Sequence, residues 1–361
     1  MKVLITGGAG FIGSHAADYA LSLGMEVVVI DNLSTGNEAF VDPRCKLYRV
    51  DVGDKEVADI FQLEQPDACI HLAEQTDLDE TIVARGLNPN LRNLISLLDV
   101  CKEYGIKKFI YGSSADVYGD HELIPADETF HCSPLAAGGL SKLAPEEYIK
   151  VYGALYQLNY TILRYTDVFG LRQKRHGAGG FISEIIETYI NGKRPLIHGK
   201  GLQAKDFIYV TDAAAAAIQC LNRGKREIYN IGTGRSTRII ELFEMMNSML
   251  NQKIKPHFVS ARPEDKAHQI VSCEKAREQL GWTAKINLHE GLTQLLGDFI
   301  YQQFMEKMSQ RPTRKSRTAR TPDKRRKAKV PFTISKMKSL GTMGAKRIRR
   351  SGNHSNRSNC I

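Results

Sequence analysis

Residues 3–15 read VLITGGAGFIGSH, and this stretch constrains the fold more than any other. Gly7, Gly10 and Gly13 recur every third residue, between a compact apolar strand and a helical segment. Glycine there permits a tight turn and lets a pyrophosphate approach the backbone, where a helix N-terminus attracts it. A glycine turn without a ligand is the plain alternative. Its flanks argue against that, as does Asp31, which ends the next strand-like run about 20 residues further on. A carboxylate at that place accepts hydrogen bonds from ribose hydroxyls and repels a 2′-phosphate, which favours NAD over NADP.

The rest of the body alternates strands and helices. KVLIT, EVVVID, CKLYRVD, DACIHLA and KKFIYGSS read as strands, and YTILRYTDVFG as one more. FIGSHAADYALSLG, KEVADIFQLE and NLRNLISLLDVCKEYG read as helices between them, and a further helix surrounds Lys142. Strands that are apolar on both faces, alternating with helices, predict a parallel sheet covered on both sides. The expected class is α/β: a Rossmann-type doubly wound parallel sheet with a smaller C-terminal substrate-binding domain. After about Asp167 the pattern mixes short strands with helices. The expected division is 1–166 for the dinucleotide-binding domain, 167–306 mainly for the substrate domain (parts of it returning to the sheet), and 307–361 for a tail.

Charge separates that tail from the body. Of 50 Lys and Arg residues, 17 follow Gln310, with a single acidic residue, Asp323, leaving a mildly acidic body. Few large apolar residues occur there, so a basic disordered tail is expected, either a plain solvated extension or a contact for an anionic partner. The seven cysteines form no CxxC pair and no zinc-ligand spacing with histidine, so no metal is expected and the thiols read as reduced and cytoplasmic. No apolar run approaches the roughly 20 residues of a membrane span, and MKVLITGG does not open a signal peptide.

TGGAGFIG at 6–13, Asp31-Asn32, Asp51-Val52, HLA at 71–73, SSADVYG at 113–119 and SK at 141–142 together resemble the extended short-chain dehydrogenase/reductase family. The similarity is to its nucleotide-sugar epimerases and dehydratases, typified by UDP-glucose 4-epimerase. LRYTDVFG, GKGLQAKDFIYVTD, YNIGTG, RPED and LGW continue the resemblance to about residue 300. It implies NAD as cofactor, held by Gly7, Gly10, Phe11, Ile12, Gly13, Asp31, Asn32, Asp51, Val52, Leu72 and Ala73, with Lys142 on the nicotinamide ribose. It implies that Ser114 bonds the reacting sugar oxygen and that Asp167, Lys205 and Arg262 lie at the substrate diphosphate. A nucleotide sugar, UDP-hexose first, and a homodimer formed through two helices are the implied partners.

Several positions depart from the family pattern. Its catalytic tyrosine, four residues before the lysine, aligns with Gly138. Tyr148 is six residues beyond Lys142, off its helical face, and Tyr118 matches a structural tyrosine. Asp167 replaces an asparagine, Lys205 an arginine, and Glu74 the second alanine of HLAA. Asp116 stands where dehydratases and decarboxylases of the family carry an acid. Three readings stay open: a 4-epimerase with impaired chemistry, a catalytically impaired NAD-binding sensor or scaffold, and a dehydratase or decarboxylase using Asp116.

Overall fold

The computed structural model describes residues 1–75, 88–120, 125–173, 180–261 and 268–309. Arg262, Cys360 and the basic tail from residue 310 lie outside the described residues. Residues Met1–Ser309 form one compact unit.

Strands β1 (Lys2–Thr6), β2 (Glu26–Ile30), β3 (Lys46–Tyr48), β4 (Ala68–His71), β5 (Lys108–Ser114) and β6 (Tyr160–Tyr165) alternate with helices. These are α1 (Phe11–Ser22), α2 (Glu56–Glu64), α3 (Pro89–Glu103) and α4 (Ala137–Tyr156). The chain continues through β7 (Asp167–Phe169), α5 (Phe181–Ile190), β8 (Leu196–His198), β9 (Ala204–Lys205), β10 (Phe207–Tyr209) and α6 (Val210–Gln219). Then come β11 (Glu227–Ile231), β12 (Thr237–Arg238), α7 (Ile239–Leu250), β13 (His257–Val259), β14 (His268–Gln269) and α8 (Leu288–Ser309). The final helix ends at Ser309.

The main sheet has seven strands in the order β3-β2-β1-β4-β5-β6-β11, all parallel. This is the expected doubly wound arrangement. The order reverses between β1 and β4, and ligands of such sheets bind outside the carboxyl ends at that crevice. Period two explains the unbroken apolar strands. Val3, Ile5, Val27 and Val29 face a core that includes the α1 and α6 alanines. Leu4, Val28, Ile30 and Cys69 face the opposite core with α2 and α3. Each such side chain, buried completely, stabilises the fold by about 1.5–3 kcal/mol.

YTILRYTDVFG is two strands rather than the single one expected. The Thr166 amide still bonds Ile231 O of the main sheet, but the Asp167 amide turns to Asp206 O at 3.0 Å. From there β7 pairs in parallel with β10. The chain leaves the sheet because a second set of partners is offered above its carboxyl edge. That region has its own core, with Phe169, Ile186, Tyr189, Leu242 and Phe243.

Candidate active site

The glycine loop closes the crevice between β1 and β4. Gly7 has φ +71°, and a Cβ on it would stand 2.7 Å from the Ala73 amide nitrogen, at the end of β4. A Cβ on Gly13 would collide with Gly7 O, so α1 can abut the turn only at a glycine. Asp31, ending β2, is nearly buried at 7 % exposure. Its Oδ2 accepts from the Ala9 amide and its Oδ1 from the Leu33 amide, each at 2.9 Å. A carboxylate has about four acceptor positions, so capacity remains for ribose hydroxyls. Asp51 accepts from Asn32 Nδ2 (2.7 Å) and from the Gly53 amide (2.9 Å), beside buried Val52. The Leu72 amide donates to Thr6 O at 3.1 Å, fixing the 72–73 segment beside the loop. Phe11 and Ile12 open α1 and pack against the core of the second sheet region. These residues fit the adenosine and pyrophosphate half of NAD: a cradle that side chains would fill, a helix start, and a carboxylate with spare acceptors.

At the other end, Ser114 terminates β5 and caps a short 3₁₀ turn, its Oγ accepting from the Asp116 amide at 3.1 Å. Its hydroxyl proton can therefore serve a ligand oxygen. Asp116 itself is tied across the crevice, since its Oδ1 accepts from Gln269 Nε2 at 2.8 Å.

Helix α4 brings Lys142 in from the side. Its Nζ donates to Gly112 O at 3.0 Å, two residues before Ser114, and lies 5.5 Å from the Tyr111 ring centre. It also makes an ion pair with Glu74 Oε2 at 2.8 Å. One turn earlier, a Cβ on Gly138 would meet nothing within 4 Å. The expected proton-transfer position is thus bare and open.

Neighbouring tyrosines do not fill it. Tyr111 is buried, and burial pushes its phenol well above the ordinary value. Tyr118 is buried, donates to Asn230 Oδ1 at 2.7 Å, and is likewise raised by burial. Tyr148 is 43 % exposed, away from Lys142 on α4.

The two charge departures expected at the substrate diphosphate meet each other. Lys205 Nζ lies 2.9 Å and 3.2 Å from the two carboxylate oxygens of Asp167. The negative charge of Asp167 is therefore balanced locally. Sequence reasoning missed Gln269, which lies in register with Lys205 on the adjacent strand. It also missed the buried pair Arg164–Glu146 (2.6 Å) under the site, where Glu146 also accepts from Ser113 Oγ. No local pattern announces either, because both depend on elements that the fold brings together.

Residues 3–232 match the model of the NAD dependent epimerase/dehydratase family. A putative UDP-glucose 4-epimerase of Methanocaldococcus jannaschii is 36 % identical over 301 residues, covering 81 % of this chain and 97 % of the relative. Among solved structures, Thermotoga maritima UDP-glucose 4-epimerase with UDP-glucose superposes with TM-score 0.80 at 34 % identity, covering 84 % of this chain and 100 % of that one. The Thermus thermophilus UDP-glucose 4-epimerase complex with NAD gives TM-score 0.78 at 32 % identity, covering 83 % and 99 %.

Proposed function

The chain belongs to the NAD-dependent epimerase/dehydratase family, and on that premise we propose that it binds NAD and a UDP-hexose in the manner of a 4-epimerase but lacks the general base of the proton-transfer step. NAD, when bound, supplies the acceptor and donor of the hydride. Ser114 Oγ donates a hydrogen bond to the sugar oxygen that gains and loses its proton. Lys142 orients the nicotinamide ribose. Asp31 receives the adenosine ribose hydroxyls and disfavours a 2′-phosphate. The single observation that carries the reading is the open space at Gly138, one helical turn from Lys142.

A positioned base contributes typically 10²–10⁴ in rate, so turnover is expected to fall by about that factor below an ordinary relative. The test is to incubate the protein with NAD and UDP-glucose and follow UDP-galactose, after measuring NAD and NADP binding by calorimetry. NAD binding well above NADP, with turnover reduced as stated, supports the reading. Turnover equal to a tyrosine-bearing relative contradicts it. Binding of NAD with no turnover at all leaves the sensor or scaffold role. A dehydratase or decarboxylase role for Asp116 is less favoured, since Gln269 already holds its carboxylate.

A homodimer belongs to the same proposal. Leu140, Tyr148, Val151 and Leu155 form an exposed apolar stripe along α4, with exposures of 45, 43, 50 and 67 %. A second copy presenting the same stripe covers it in a self-complementary way. The basic tail is proposed, on its charge alone, to contact an anionic partner.

A further inference from the structure

Two protein groups hold Lys142. An ammonium has three donors. One goes to Gly112 O and one lies against Glu74 Oε2. A ribose diol offers two oxygens to the lysine, so full contact requires a donor that Glu74 holds.

Glu74 is not delivered by a loose loop. On one side, Leu72 is fixed to Thr6 of β1. On the other, Asn90 of α3 grips the Gln75 backbone twice: its Oδ1 accepts from the Gln75 amide at 2.8 Å and its Nδ2 donates to Gln75 O at 3.0 Å. The segment therefore presents the carboxylate at Lys142 from a braced backbone. Both side chains are largely shielded, at 17 % exposure for Lys142 and 27 % for Glu74, so the pair is less screened than a surface one.

We propose that Glu74 competes with the nicotinamide ribose for Lys142, so that NAD is held firmly by its adenosine half and remains exchangeable at its nicotinamide half. This rests on the NAD-binding reading above. The apparent affinity is that of the intrinsic site reduced by the fraction of molecules in which Lys142 is released.

The test is calorimetry on the full chain and on Glu74→Ala with three ligands: NAD, ADP-ribose and ADP. NAD and ADP-ribose carry the second ribose and ADP does not. Glu74→Ala is expected to tighten NAD and ADP-ribose roughly tenfold and to leave ADP within about twofold. The gain is expected to vanish in a Lys142→Ala background, which separates competition for the lysine from a general change in the site. Glu74→Gln, which keeps the volume and removes the charge, is expected to give an intermediate gain and guards against a folding defect in the alanine variant. Unchanged NAD affinity in Glu74→Ala overturns the inference, and because NAD still binds it leaves the NAD reading standing. Weaker NAD binding also overturns it, because Glu74 would then be receiving the ribose hydroxyls. If none of the three ligands binds either protein, the NAD reading fails and the inference with it.

Discussion

A Cβ on Gly139 would lie 2.7 Å from Asp116 O and 2.8 Å from Pro134 Cβ, whereas one on Gly138 would touch nothing. The two adjacent glycines therefore have different reasons. Gly139 lets α4 approach the turn that follows Ser114, and Gly138 faces open space where the proposed reading places the absent base. Both sit in the first turn of α4, where a glycine costs less than in a helix interior. Gly139→Ala is expected to destabilise by about 1–3 kcal/mol through overpacking, and Gly138→Ala to be neutral or slightly stabilising. Chemical denaturation of the two variants checks this, and equal losses would contradict it. From sequence the two glycines look alike, because the difference lies in a contact with a carbonyl more than 20 residues away. The same limit applies to Glu74 and to Asp167. Each is legible as an added charge, but their partners Lys142 and Lys205 become visible only when strands and helices are assembled.

At the scale of elements, β1 to β6 and the helices between them are readable from apolar runs and glycine punctuation. Their ends differ from expectation by only a few residues, as DACIHLA against Ala68–His71 illustrates. The break at Thr166 is not readable, since YTILRYTDVFG stays apolar while its hydrogen-bond partners change sheet. Helix α4 has two contrasting sides. Its inner side carries Lys142 and the buried Glu146, and its outer side carries the apolar stripe. Replacing Val151 and Leu155 together by Asp is expected to shift the protein from dimer to monomer in sedimentation velocity, with the fold retained. A wild-type protein already monomeric at micromolar concentration would contradict the proposed dimer.

For the molecule as a whole, buried ionisable groups set how stability follows pH. His71 is buried on β4, bonded to Thr6 Oγ1 at 2.7 Å, and burial with the nearby Lys142 charge holds its pKa down at about 3. The unfolded chain takes up this proton near 6.5 and the folded chain does not, so stability is full above about 6.5 and lost as pH falls toward 3. Glu64 adds a second loss below 4.5: despite its burial, bonds from Tyr48, Lys46 and Lys2 hold it at about 2. Asp206 acts in the opposite sense, because burial raises it to about 6 and its protonation favours the folded state. His71→Gln is expected to flatten the dependence of unfolding free energy on pH between about 6.5 and 4.5, by at most about 1.4 kcal/mol per pH unit. An unchanged slope would show that His71 titrates normally.

In the proposed reading, the group whose absence limits turnover is the base expected at position 138. The most direct measurement is the rate of UDP-glucose to UDP-galactose conversion, at saturating NAD, for the wild type beside Gly138→Tyr. The open space at 138 and the one-turn spacing to Lys142 predict that the tyrosine raises kcat by at least about 100-fold. A wild-type rate already equal to that of the variant, or a variant that binds NAD and UDP-glucose yet gains nothing, would contradict it.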